Sequence, residues 1–252
     1  MKTLYFITGS QDLYGEATLA QAAADSKEMA AYLSEKLSGI AEVVFRPVVR
    51  NSAEALDICT KASSDKECIG VIMWMHTFSP AKMWINALRA LRKPMLHLHT
   101  QHNEKLPYNS IDMDFMNLNQ SAHGDREFGF VCTRLGIKRE VVSGFYKHDD
   151  VIAKIRRFAQ AAAAVDFGKG MRVAMFGNNM RDVAVTDGDR VESEIRYGWN
   201  VNYYAIGDLC DIISDTSLKR SPMSIMETAI PSPVTPSKTS LAGSDFPPIP
   251  RG

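Results

Sequence analysis

The sequence predicts an α/β protein: a parallel sheet flanked by helices, the start of a second α/β domain, and a polar tail. Three observations carry this. Short Val/Ile-rich runs alternate with longer segments of helical periodicity over most of the 252 residues. The run Ile69–Met75 (IGVIMWM) is apolar throughout, as a strand covered on both faces would be. Immediately after it, HTFSPAKMWI at 76–85 reads as a strand-to-helix turn, with Ser79 placed as a cap and Pro80 at the first helical position.

In chain order, Leu4–Thr8 is a first strand, followed by the loop Gly9-Ser-Gln-Asp-Leu-Tyr-Gly15. Its glycines permit tight turning, but neither the G-x-G-x-x-G nor the G-x-x-x-x-G-K phosphate pattern is present. Gln11 and Tyr14 have the chemistry to bond a polyol; a plain turn is the alternative. Ala17–Leu37 reads as an amphipathic helix, Ala41–Val49 as a second strand, and Ser52–Ala62 as a helix capped by Asn51 or Ser52. The third strand and the 76–85 turn come next, with a helix over Ala81–Leu91 and a fourth strand over Met95–Thr100. Strands alternating with helices imply right-handed βαβ units and a sheet of the Rossmann/flavodoxin kind.

Ligands of such sheets bind at the carboxyl ends of the strands. His76, Thr77 and an exposed Phe78 stand at that edge. They either grip a small polar molecule or form a packed connection with a satisfied histidine. His97 and His99 share one side of the fourth strand. With His102 they are candidate metal ligands, though no carboxylate or cysteine at ligand spacing completes the set, and a cleft or interface lining is the competing reading.

Asp114–His123 is expected to start a helix continuing past Gly124, which puts Gln120 and His123 on one face. Such a pair suits hydrogen bonding to hydroxyls or proton shuttling; a surface helix is the alternative. Glu140–Phe145 is a further strand, Asp150–Ala164 a helix, and Asp166–Gly170 a linker at a domain boundary. The division is 1–169, 170–217 and 218–252. Met171–Phe176 reads as another buried strand, Arg190–Tyr197 as a helix, Trp199–Ala205 as a strand, and Asp208–Ile213 as the opening of a helix. Asp187-Gly-Asp189 lacks the ligand count of a calcium loop and is read as a helix cap.

Formal net charge is zero and no basic run occurs, which argues against nucleic acid or a membrane surface as partner. No signal peptide or membrane-length apolar run is seen. The four cysteines are scattered, with no C-x-x-C, and read as reduced thiols of a cytoplasmic protein. Leu218–Gly252 holds seven of the eleven prolines and no periodicity, so it is expected to be disordered.

Several long stretches resemble L-arabinose isomerase: GSQDLYG at 9–15, WMHTFSPAKMWI at 74–85, HTQ at 99–101, SIDMDFMNLNQSAHG at 110–124, REFGF at 126–130 and NMRDVAVTDGD at 179–189. The resemblance runs to about Asp215. It implies a metal-dependent aldose–ketose isomerase, typically using manganese, that forms homo-oligomers, commonly hexamers, with each site between subunits. By the same resemblance Gln11, Leu13, Phe78, Gln120 and His123 would contact sugar in a neighbour's site, and Met180 would contribute from the central domain. The family's two metal-bound glutamates and two metal-bound histidines would fall beyond the matched stretch. No catalytic residue or metal ligand is therefore assigned to this chain, and its tail is expected to be a shifted frame or a gene-model artefact. A non-catalytic sugar-binding or regulatory module using the same cleft is the runner-up, and a nucleotide-binding domain the third reading.

Overall fold

The computed structural model describes residues 1–177, 182–183 and 188–217. The chain divides into two compact units. The first comprises Met1–Met171 with Ser193–Trp199, and the second Arg172–Glu192 with Asn200 onward.

The first unit begins with β1 (Thr3–Thr8), a short 3-10 turn at Asp12–Tyr14, and α1 (Gly15–Lys36). It continues through β2 (Glu42–Phe45), α2 (Ser52–Ser64), β3 (Cys68–Trp74), a 3-10 turn at Ala81–Trp84 and α3 (Ile85–Ala90). It is completed by β4 (Met95–His99), α4 (Met113–Leu118), α5 (Ser121–Arg134), β5 (Glu140–Ser143) and α6 (Asp149–Gly168). The second unit has a parallel pair, β6 (Arg172–Phe176) and β7 (Asn200–Tyr204), with α8 (Ile206–Ser217); α7 (Arg190–Tyr197) spans the division between the units.

The first sheet is wholly parallel, in the order β2-β1-β3-β4-β5. This is the flavodoxin-like order among the doubly wound sheets. From β1 the chain moves outward to β2, then returns across β1 to β3 and continues the other way. The strand order therefore switches direction between β1 and β3, and the crevice expected there lies at their carboxyl ends.

Period-2 alternation sorts the side chains onto two buried faces. Leu4, Phe6, Ile72, Trp74, Leu96 and Leu98 pack with Met29 and Leu33 of α1 and Ile155 and Ala159 of α6. On the other face Tyr5, Ile7, Val71, Met73 and Met95 pack with Ile58 of α2, Trp84, Leu88 of α3, and Phe128 and Cys132 of α5. The result is a three-layer sandwich. All of β3 is buried, as its apolar run predicts.

Several boundaries depart from the sequence reading. The second strand stops at Phe45, because Pro47 cannot donate to a ladder; Val49 returns only as an isolated bridge to Gly9. Ser79 does not cap a helix. Its hydroxyl accepts from Trp84 Nε1 at 2.9 Å, and Pro80 takes the position before the 81–84 turn with extended ψ. The single helix expected from Asp114 breaks at Asn119–Gln120 into α4, capped by Asp112 on Phe115 N–H, and α5. Asp166–Gly168 belongs to α6 rather than to a linker. β6 exists as expected but is not buried: its residues alternate between exposed and half-buried in a two-stranded sheet. The cap reading of Asp189 holds, since its carboxylate accepts from Glu192 N–H at 2.9 Å. Asp187, Met180 and the tail 218–252 lie outside the described residues.

Candidate functional site at the carboxyl edge of the first sheet

The loops after β1 and β3 are stitched together at the switch point. Gly9 N–H bonds Trp74 O at 3.0 Å, and the Ser10 and Thr77 hydroxyls meet at 2.6 Å. A Cβ on Gly9 would stand 2.6 Å from Met75 Sδ and 2.7 Å from Ser79 Oγ, so only glycine allows this approach. The first turn of α5 seats on the same loop. Ser121 Oγ lies 3.2 Å from His76 O, and Ala81 N–H donates to the Glu127 carboxylate at 3.0 Å. A Cβ on Gly124 would come within 3.0 Å of Thr77 O.

This seating places the candidate residues on three adjoining segments. Gln11 is half-buried, and Leu13 is 85% exposed on the 12–14 turn, which an Arg50–Asp12 ion pair at 3.3 Å braces. Phe78 is half-buried rather than exposed. Gln120 and His123 stand at the start of α5, with His123 Nδ1 3.3 Å from Gln120 Oε1. His76 and Thr77 are fully buried, as a packed connection would have them, although His76 Nδ1 has no hydrogen-bond partner among the described residues. His76 stacks on Trp74 at 4.1 Å between ring centroids, and its Nε2 is 3.0 Å from Asp25 Oδ2. Burial lowers the His76 pKa against the pull of Asp25. Burial pushes the Asp25 carboxyl upward, but its bonds to His76 and Gln21 outweigh that and leave it below its ordinary value. The pair is a carboxylate accepting from a neutral imidazole.

His97 and His99 do share a side of β4, and both face Asp125 of α5. The distances are 2.6 Å from His97 Nε2 to Oδ1 and 3.6 Å from His99 Nε2 to Oδ2. His102 lies apart, 3.8 Å from Asp25 and 3.3 Å from Glu28. Among the described residues no group of three or more His, Cys, Asp or Glu could hold a metal ion. Cys59, Cys68 and Cys132 are free and buried, and burial raises the Cys59 and Cys132 thiols to about 12 and about 11.

Sequence reasoning missed Asp25, Ser121 and Asp125. A signal existed. The inward stripe of α1 runs Leu19, Ala22, Asp25–Ser26, Met29, Leu33, and that of α5 runs Ser121, Gly124–Asp125, Phe128, Cys132. A carboxylate on an otherwise apolar stripe must find a buried partner.

A flavodoxin-like α/β domain with polar loops gathered at the switch point is the class that fold and site define. Residues 1–169 match the family model of the L-arabinose isomerase N-terminal domain, and residues 172–227 that of its central domain. The chain is 49% identical over 213 residues to the L-arabinose isomerase of Geobacillus thermodenitrificans and 50% identical over 213 residues to that of Shouchella clausii. It is 51% identical over 205 residues to that of Clostridium beijerinckii. These alignments cover 84%, 84% and 81% of this chain, and 43%, 43% and 42% of the relatives. The chain belongs to the L-arabinose isomerase family and spans less than half the length of these curated relatives. No described helix is long and apolar enough to cross a membrane.

Proposed function

We propose that the carboxyl edge of the first sheet is one wall of a pentose site in an aldose–ketose isomerase that converts L-arabinose to L-ribulose in arabinose catabolism. Gln11, Leu13, Phe78, Gln120 and His123 would touch the sugar bound by a neighbouring copy in a homo-oligomer. Met180 is assigned to the same pocket by resemblance alone. The observation that supports this most is the Gln120–His123 pair. Both polar tips are presented from a helix end that Ser121, Gly124 and Glu127 lock onto the β3 turn. An amide and an imidazole so held can each donate to and accept from sugar hydroxyls, and Phe78 and Leu13 supply apolar surface for the C–H faces.

Moving a proton between C1 and C2 requires a base beside the substrate carbon and stabilisation of the developing oxyanion. The wall residues are suited to binding and orientation instead, so this chain alone is proposed to be inactive. A divalent cation such as manganese supplies Lewis acidity in enzymes of this class when bound. In this reading its ligands lie outside the described residues. The test is His123→Ala at the aligned position of a full-length relative. Loss of one hydrogen bond to the sugar should lower kcat/KM by about tenfold with the fold intact by circular dichroism. Unchanged kcat/KM would remove His123 from the site.

A further inference from the structure

Beside this wall, a separate cavity of about 300 Å³ opens at the ends of β4 and β5, within the size range of small-molecule sites. His99, Gln101, Asn103, Glu104, Ser121 and Phe145 line it. None of Gln11, Leu13, Phe78, Gln120 or His123 does. Its floor is fixed by Gly144 N–H bonding His99 O at 3.2 Å, and one side by the Ser121 hydroxyl 3.1 Å from Gln101 Oε1. Behind His99 stands Asp125, 2% exposed. Its Oδ1 is taken by His97, while Oδ2 makes no hydrogen bond among the described residues and faces His99 Nε2. A buried carboxyl oxygen left without a partner beside a lining imidazole is costly unless the imidazole turns its Nε2 inward. That orientation leaves His99 Nδ1 for a ligand.

The charge inventory selects the ligand. No Lys or Arg lines the cavity, so a phosphate or carboxylate would find no countercharge. The single lining carboxylate, Glu104, is engaged by His148 Nε2 at 2.9 Å, which argues against an amine. What remains are groups that both donate and accept: the Gln101 and Asn103 amides, the Thr100 and Ser121 hydroxyls and the His99 imidazole, beside one aromatic ring. We propose that this cavity is an accessory binding site for a small neutral polyol, distinct from the sugar wall formed around Gln120 and His123.

The experiment follows histidine and amide resonances of the isotope-labelled chain during titration with L-arabinitol, with inorganic phosphate as the second ligand. L-Arabinitol should shift the His99 ring and the Gly144 amide saturably in the millimolar range. Asn103→Ala should weaken this response about tenfold, the loss of roughly one ligand hydrogen bond. Ala122→Trp, which puts a bulky ring into the cavity from an exposed helix position, should abolish it. Both variants should keep the wild-type melting temperature. Shifts confined to Gln11, Phe78, Gln120 and His123 would overturn the accessory site and leave the sugar wall standing. A silent titration at His99, or a response to phosphate in place of L-arabinitol, would overturn it as well.

Discussion

The two parallel sheets differ in how much of their surface is covered. Every residue of β3 is buried, with helices on both faces, whereas in β6 and β7 every residue is half-buried or exposed. Phe176, Tyr203, Tyr204 and Ile213 are each more than a third exposed. Both regions show alternating strand and helix in sequence. Burial, however, depends on a third and fourth strand and on a helix layer for each face, and the described part of the second unit has two strands. Local pattern therefore specifies the elements in both regions, while coverage decides which of them form a rigid scaffold. The candidate loops project from the scaffold that is covered.

The largest expected effect contrasts the two cores directly. Trp84 is fully buried, edge-on to Phe128, and its indole N–H bonds Ser79. Trp84→Ala should cost about 3–5 kcal/mol of the first unit's stability in urea unfolding. Ile213→Ala, at a side chain 57% exposed, should change stability by at most about 0.5 kcal/mol. Comparable losses would mean that α8 is packed more tightly than its exposure indicates.

A smaller effect sharpens the contrast through a buried ionisable group, which the first unit carries at Asp125. Burial raises the Asp125 carboxyl from 3.8 to about 8, offset in part by His99 and the Met75 backbone, and lowers His97 from 6.5 to about 4, assisted by Arg139. The folded chain holds the Asp125 proton that the unfolded chain releases above 3.8, so this stabilisation is lost as pH rises through about 8. The unfolded chain takes up a proton on His97 below 6.5 that the folded chain refuses until about 4, so stability falls there as pH drops. The two trends oppose each other between about 4 and 6.5. Of the two, Asp125 alone still titrates differently between 6.5 and 8, and holding its proton should lower stability by about 1–2 kcal/mol as pH rises across that range. Asp125→Asn should flatten that limb. A persistent slope in the variant would assign it to another group.

Much of the scaffold was legible in the sequence, and the reasons are local. The continuous apolar run of β3, the Asn51 cap of α2 and the inward stripe of α1 each follow from periodicity and capping chemistry. The His97–His99 pairing on one side of β4 followed from strand alternation alone. What was not legible depends on contacts far apart in the chain. Asp125 meets His97 across 28 residues, and Asp25 meets His76 across 51. The helix break at Asn119–Gln120 also escaped, because no Pro or Gly marks it; it leaves Gln120 and His123 at a helix start rather than along a helix face. The burial of His76 and Thr77 was left open by the sequence, since a strand-end histidine reads alike whether packed or exposed.

We propose that this chain supplies sugar-contacting side chains and does not by itself move the proton. The most direct measurement incubates the purified, folded chain with manganese and L-arabinose and follows L-ribulose over hours, beside a His123→Ala control. A lone histidine acting as general acid–base would contribute only about 10²–10⁴-fold, far below an isomerase's acceleration. No metal-dependent L-ribulose above the control is expected. Metal-dependent L-ribulose well above it would contradict the account and show that the chain completes a catalytic site by itself.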